Sequence, residues 1–569
     1  MEIEKKMACW LKVPFDSETQ QAVQSLANGT DSEALHDAFY KDLSFGTGGM
    51  RGKMGVGTNR INKYTLGRCS QGLATYLLQE FPSLTPKVVI AFDSRHNSQS
   101  LAQEVANVLT ANGVDVYLFT DLRTTPELSF AVRHLRAQAG IVLTASHNPP
   151  IYNGYKVYWE DGAQIVPPHD QKIMEAIDSV SFESLQFGPP KAKIHPIDLE
   201  VDEAYWNTVL KLLPVKPKQP ENLNVVFTPL HGTAITAVPR VLQRAGFDRV
   251  SFVKEQMHPD GDFPTVKSPN PEEREALSLA IDQANDQKAD LVIGTDPDCD
   301  RLGVAFRTNA GSYQLLNGNQ LMLLLTDFVL DQLQQKNKLL PSSFIASTIV
   351  STPLMQSIAT QYQIECVTTL TGFKWIGEAI ENRPSDTFIC GGEESYGFLL
   401  GSAVRDKDAV SASLLAAVMT SQLKSEGKSL LDQLILCYQK YGFQYESLHS
   451  LNKEGAAGAK AILEIMHSYR NNPPRELGGN KVVKIYDYQT GVERDLKNNS
   501  EIPLVLPKAN VLIFVTSEGS RIALRPSGTE PKIKFYLSVA NTYQKEKSWE
   551  YNLAKIEKQL KILENDLPL

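Results

Sequence analysis

The sequence predicts a mixed α/β chain: three related α/β sheet domains followed by a smaller α+β domain. Three observations predict it. Short runs that are apolar throughout alternate with helical stretches, as strands covered by helices on both faces must. The loops that end these runs repeat in type and order three times. The pattern changes after KEGAAG at 453–458, where a helical stretch (AKAILEIMHSYR) is followed by strand-like runs and a Lys-rich terminal helix.

In chain order, VVIAF from Val88, VDVYLF from Val114 and GIVLTAS from Gly140 read as strands of the first domain. LNVVFT from Leu223 and DLVIGTD from Asp290 serve the second, and FIASTIV from Phe344 and TFICGG from Thr387 the third. In each domain one strand ends in a polar loop: AFDSR at 91, FTPLHGTA at 227 and STIVSTP at 347. A later strand ends in a loop crowded with functional groups: TASHNPP at 144, GTDPDCDR at 294 and CGGEESYGF at 390. Ligands of open α/β sheets bind at such strand ends. The stretch 182–196 (FESLQFGPPKAKIHP) reads as irregular linker, a second boundary falls near Asn317, and a third at Lys453. The expected domains are therefore 1–200, 201–317, 318–452 and 453–569. The apolar run LMLLLTDFVL at 321–330 is broken by Asp327 and reads as a buried helix, because a membrane span needs about twenty apolar residues. Lys and Glu of the terminal helix read as a solvated face.

A chain of 569 residues is too long for one core. A net charge of −8 argues against broad nucleic-acid binding and leaves room for a local basic site. Six cysteines without CxxC spacing read as reduced thiols and no zinc site. The start, MEIEKKMACW, has no apolar run behind its basic pair and is not read as a signal peptide. The expected setting is the cytoplasm, with no membrane and no nucleic-acid partner.

Four loops carry chemistry. In TASHNPP, Ser146 follows a strand, two prolines end the loop and an Asn-Gly turn follows, so the hydroxyl can be held exposed at a strand end. Serine is a weak nucleophile alone; His147 and Lys156 are near in sequence and could exchange protons or neutralise phosphate. By itself the motif also suits an ordinary turn. In GTDPDCDR, Asp296, Asp298 and Asp300 alternate directly after a strand, and carboxylates this close repel one another without a cation. All-oxygen ligation suits Mg²⁺ or Ca²⁺. An EF-hand is excluded by the approaching strand and by Arg307 where its twelfth-position Glu belongs. In GGEESYG, Glu393 and Ser395 can take sugar hydroxyls, and the following VRDKD (404–408) reads as a surface charge cluster. In RPSGTEPK (525–532), Arg525, Ser527, Thr529 and the backbone at Gly528 suit a phosphate dianion. Two less specific pieces are FGTGGMRG, which carries Arg51 and lacks the Lys-Ser/Thr of a Walker loop, and TLTGFK, which carries Lys374.

Together and in this order the motifs resemble the α-D-phosphohexomutase family, from about residue 40 to about residue 540. The resemblance implies three α/β domains, a fourth domain like the TATA-binding-protein fold, and an active site where all four meet. It implies that Ser146 is phosphorylated, and that Asp296, Asp298 and Asp300 hold Mg²⁺ with a phosphate oxygen on Ser146. Arg51, His147 and Lys156 would be acid–base and electrostatic helpers. Arg301, Lys374, Glu393 and Ser395 would meet the sugar phosphate, and Arg525, Ser527, Gly528 and Thr529 its non-reacting phosphate. The implied reaction interconverts sugar monophosphates, with glucose 1,6-bisphosphate as activator and intermediate. The start FGTGGMRG, TPLHGT and VRDKDAV look most like the branch of bacterial phosphoglucomutases and phosphopentomutases. Where a dual-specificity branch has a loop resembling GEMSGH, ending in His, this chain has Gly397; Ser395 favours glucose over pentose. Mannose or pentose phosphates, a phosphatase or bisphosphate synthase, and a non-catalytic phosphosugar-binding protein are the alternatives.

Overall fold

The computed structural model describes residues 2–29, 31–46, 49–308, 310–453, 455–527 and 532–567. It divides into two compact units: residues 1–318, 373–384 and 395–427, and residues 319–372, 385–394 and 428–569.

The first unit holds two α/β sheets. One runs in the order Gly49–Lys53, Tyr152–Trp159, Ala139–Leu143, Lys87–Phe92, Asp115–Phe119, Ile194–Ile197. The last four strands are mutually parallel, and the first two are antiparallel. Its core is built as the apolar runs predict: Val88, Ile90, Ile141 and Leu143 from the strands meet Leu73, Leu77, Val105 and Leu109 from the helices Lys63–Glu80 and Ser98–Ala111. Asn62 starts the first of these helices with a reciprocal capping box to Thr65. The second sheet repeats the plan. Leu291–Thr295 is parallel to Val225–Thr228 and antiparallel to the returning strand Leu302–Arg307. In both sheets the functional loop therefore sits at the turn between a central strand and its antiparallel neighbour.

Two expectations change here. Residues 194–197, read as linker, form an edge strand parallel to Asp115–Phe119. The segment alternates exposed and half-buried residues and contains Pro196, so it carries no continuous apolar signal, and an edge position tolerates a residue without an N–H. The charged VRDKD segment is buried: Arg405, Asp406, Lys407 and Asp408 are each under a tenth exposed. Its charges are partnered. Tyr158 Oη donates to Asp406 (2.7 Å), Lys407 pairs with Asp406 (2.8 Å), and Tyr205 Oη donates to Asp408 (2.9 Å). Asp408 also caps the helix Ala409–Ser425.

In the second unit, Ser343–Thr348 lies between two parallel neighbours, Glu365–Thr369 and Thr387–Gly392. The run at 321–330 lies in the buried helix Gly318–Gln335. Its Asp327 is satisfied by Gln433 (2.7 Å) and by the Tyr441 hydroxyl. The C-terminal sheet is antiparallel. Its edge strand Phe443–Asn452 pairs along its whole length with Lys532–Asn541, so this sheet draws on residues ahead of 453. Ile462, Met466, Ile556 and Leu560, from the helices Gly455–Asn471 and Trp549–Glu564, are buried, as are the sheet residues Phe514, Leu524 and Phe535.

Candidate active site

Ser146 follows the strand Ala139–Leu143, and Asp296 follows Leu291–Thr295. Both strand ends lie in the first unit, and the two loops touch. Ser146 Oγ donates to Asp296 Oδ2 at 2.6 Å, and Ser146 is 1% exposed. Its backbone is left-handed, φ 52°, a conformation that costs a non-glycine residue energy and marks functional turns. His147 Nδ1 stands 3.2 Å from Ser146 Oγ.

The three aspartates are buried, and one oxygen from each lies within 4.8 Å of the others. Asp296 Oδ1 accepts from the backbone N–H of Asp300 (3.0 Å) and Arg301 (2.9 Å), which curls the loop around that carboxylate. Asp298 Oδ2 accepts from Thr125 Oγ1 (2.9 Å) and Lys156 Nζ (2.6 Å). Asp300 Oδ2 accepts from Lys156 Nζ (3.1 Å), and Lys407 Nζ lies at 3.3 Å. Asp298 Oδ1 and Asp300 Oδ1 are buried with no hydrogen-bond partner. Two orphaned anionic oxygens beside a serine hydroxyl form a donor set that fits a hard divalent cation.

The electrostatics follow from charge balance. Burial and the charges of Asp298 and Asp300 push the Asp296 carboxyl well above the ordinary range. Burial and Asp300 would also raise Asp298, but Lys156 holds it low. Burial opposes ionisation of Asp300 too, yet Lys156, Lys407 and Arg301 hold it far below the usual value. Burial alone would discharge Lys156, but Asp298 and Asp300 raise it, so it stays an ammonium. Of the three carboxyls, Asp296 is the one whose pKa is raised, while the lysines pair with Asp298 and Asp300.

The remaining expected residues are placed as follows. Lys156 returns on the strand Tyr152–Trp159, paired with Val142. Arg51 is exposed on Gly49–Lys53 opposite Gly154, and its like charge acts on Lys156. Arg301 forms an ion pair with Glu272. Lys374 begins the helix Lys374–Glu381 and lies over the Trp375 ring at 4.8 Å; burial lowers its pKa. Ser395 is half-buried in the first unit. In the second unit, Glu393 accepts from the N–H of Gly372 (2.9 Å), and Glu394 from Ser351 Oγ (2.9 Å). Arg525 lies on Arg521–Pro526 opposite Lys534, and the Ser527 N–H donates to Lys532 O (2.7 Å). Gly528 and Thr529 lie outside the described residues.

Four residues of the site were given no role in it from sequence, and Lys407 was read as part of a surface cluster. Lys407 and Thr125 touch the aspartates directly. Arg95 grips the serine loop. Thr233 donates through both N (2.7 Å) and Oγ1 (2.9 Å) to the carbonyl of Pro297. Gly232 must be glycine, because a Cβ there would sit 2.3 Å from Pro297 Cα. The available signals were AFDSR and TPLHGT, strand-end loops of the same repeat. For Lys407 it was an Asp directly before a helix, next to charges of both signs.

Comparison with known proteins agrees with this architecture. The three models of phosphoglucomutase/phosphomannomutase α/β/α domains I, II and III match residues 42–184, 203–311 and 317–441. A phosphoglucomutase of Staphylococcus epidermidis is 41% identical over 538 residues, 93% of this chain and 96% of the relative. One of Staphylococcus aureus is 42% identical over 509 residues, 88% and 90% respectively. Among solved structures, the parafusin phosphoglucomutase of Paramecium in its open form superposes with TM-score 0.68 at 20% identity, over 92% of this chain and 95% of that one. A phosphoglucomutase/phosphomannomutase family protein from Burkholderia thailandensis gives 0.66 at 18%, over 91% and 96%. With three successive domain models matched and the serine and aspartate loops in contact, this chain belongs to the phosphoglucomutase/phosphomannomutase family.

Proposed function

We propose that the protein is a phosphoglucomutase, interconverting α-D-glucose 1-phosphate and glucose 6-phosphate through phospho-Ser146 and glucose 1,6-bisphosphate. The observation that carries it is the buried Ser146 hydroxyl, 2.6 Å from one of three clustered aspartates and flanked by cations. The names of the relatives that are 41–42% identical favour glucose over mannose or pentose.

Asp296, Asp298 and Asp300 are assigned Mg²⁺, which when bound supplies charge neutralisation at the phosphoryl group. Phosphoryl transfer asks the protein mainly for alignment and neutralisation. The sugar hydroxyl oxygen forms a bond to phosphorus as the bond from phosphorus to Ser146 Oγ breaks. The hydroxyl loses a proton, and Oγ gains one; His147, 3.2 Å from Oγ, is placed to carry it. Lys156, held as an ammonium, supplies charge rather than a base, and Lys407 and Arg51 add to it. Transfer back from the other end of the bisphosphate restores phospho-Ser146 and leaves the isomeric monophosphate. Arg301, Lys374, Glu393 and Ser395 are assigned the sugar phosphate. Arg525 and Ser527, with Gly528 and Thr529, are assigned the phosphate that does not react. A cytoplasmic setting suits the cysteines, five of which are buried free thiols. Among the described residues no helix is long and apolar enough to cross a membrane.

The test is a coupled assay of glucose 6-phosphate formation from glucose 1-phosphate with Mg²⁺ and a trace of glucose 1,6-bisphosphate. Mannose 1-phosphate and ribose 1-phosphate run in parallel, with Ser146→Ala as control. Fastest turnover of glucose and an inactive Ser146→Ala are expected. Faster mannose or ribose turnover overturns the glucose assignment alone, and no isomerisation of any sugar overturns the mutase.

A further inference from the structure

Arg95 has no role in the chemistry described above, yet its guanidinium is wholly buried beside the nucleophile. Nη2 donates to the carbonyl of Ser146 (2.6 Å) and to that of Asn148. Nη1 donates to the carbonyls of Pro149 (2.9 Å) and Tyr152 (3.0 Å). The four Nη N–H groups of one planar fork thus meet four carbonyls of one loop. The remaining Nε faces Asp93 Oδ2 at 3.4 Å. Asp93 is fixed in turn, because its Oδ1 accepts from Ser98 Oγ (2.7 Å) and from the Arg95 N–H (3.0 Å). The Phe263 ring covers the guanidinium, 5.0 Å from its carbon.

Carbonyls of a chain in regular structure do not converge on one point. Here they do because the backbone reverses through the left-handed Ser146, and that reversal aims Oγ at Asp296. Without the guanidinium, four buried or half-buried carbonyls lose their donors and the strained residue is free to relax. We infer that Arg95 is a positioning residue for phosphoryl transfer, holding the 146–152 loop in the one geometry that presents Ser146 Oγ to the metal-binding aspartates. This role rests on the mutase reading. Lysine cannot fill it, since an ammonium has three donors and no planar fork.

The experiment compares full-length wild type, Arg95→Lys and Arg95→Met by two readouts. The first is amide hydrogen exchange in peptides covering 144–153, which needs no substrate. The second is kcat and KM for glucose 1-phosphate with Mg²⁺ and a trace of glucose 1,6-bisphosphate. Faster exchange confined to that loop is expected in both variants. So is a fall in kcat of about 100-fold, the scale of a 1 Å misplacement of a reacting group, with KM little changed. Added methylguanidinium should restore part of the kcat of Arg95→Met, which a general loss of stability would not allow. Unchanged exchange overturns the clamp, and faster exchange with unchanged kcat overturns the positioning role. If Arg95→Met does not fold, Arg95→Lys, which keeps the charge, carries the same test. A wild type that isomerises nothing overturns the mutase reading, while faster loop exchange in the variants still supports the clamp; the two failures are separable.

Discussion

Two neutralising substitutions in the aspartate loop should behave oppositely, although both remove a carboxylate from the same cluster. In metal-free protein Asp300 is the charged partner of two buried ammonium groups, Lys156 at 3.1 Å and Lys407 at 3.3 Å. At an effective dielectric constant of about 20, each contact is worth about 5 kcal/mol of Coulomb attraction, offset by desolvation. Removing one partner of such a buried network costs about 3–5 kcal/mol, because the other charges stay buried. Asp300→Asn should therefore lose about that much. Asp296 has the raised carboxyl pKa, and the two lysines pair with Asp298 and Asp300 instead. An Asn there keeps the two backbone bonds to its carbonyl oxygen, and the Ser146 hydroxyl can turn to accept from the new amide. Asp296→Asn should cost about 1 kcal/mol or less. The assay is urea unfolding in EDTA read by tryptophan fluorescence. Four of the five tryptophans, Trp10, Trp159, Trp206 and Trp375, lie in the same compact unit as the site. Adding Mg²⁺ should raise the wild-type unfolding free energy by about 2.7 kcal/mol at a hundred times Kd, and should raise neither variant's. Equal destabilisation by the two variants in EDTA would refute the opposite directions of the Asp296 and Asp300 shifts.

The two opposite shifts set a pH dependence in EDTA. Asp296 is raised in the folded protein, so its contribution is complete below the ordinary carboxylate pKa and is lost as pH rises through the elevated value. Asp300 is depressed, so its contribution is present above the ordinary range and is lost as pH falls through the lowered value. Wild-type midpoints should fall on the alkaline side, and Asp296→Asn should remove that fall. Gly397→Ala would place a Cβ 2.2 Å from Lys407 Cδ, so Lys407 must move off Asp300; steady-state assays should show lower kcat, about tenfold or more. Glu127 is fully buried with no hydrogen-bond partner for either oxygen, and burial, then Asp202, raise its pKa well above normal. Glu127→Gln, which removes a group whose ionisation burial opposes, should cost about 1 kcal/mol or less in urea unfolding at pH 7. Thr233→Val removes a side-chain bond to Pro297 O, which holds the aspartate loop, and titration calorimetry should show weaker Mg²⁺ binding by about tenfold.

The three-fold plan of strands ending in functional loops could be read from local pattern, because strands buried on both faces must be apolar and their functional ends polar. GIVLTAS and DLVIGTD became Ala139–Leu143 and Leu291–Thr295, with Ser146 and Asp296 just beyond them. The aspartate cluster was equally plain, since alternating carboxylates after a strand have few other uses. Residues 194–197 were missed because an exposed edge strand has no core to advertise it. VRDKD was misread because burial of a charge depends on its partners, and Tyr158 and Tyr205 are distant in sequence. The chain alone thus determined which loops carry the reactive groups, through composition at strand ends. Only the tertiary structure decided that Asp298 and Asp300 hold Lys156 as an ammonium, that burial and its neighbours raise the Asp296 carboxyl, and that Arg95 grips four carbonyls. Those properties arise from buried groups brought within about 3 Å of one another, where low dielectric makes each depend on all its neighbours.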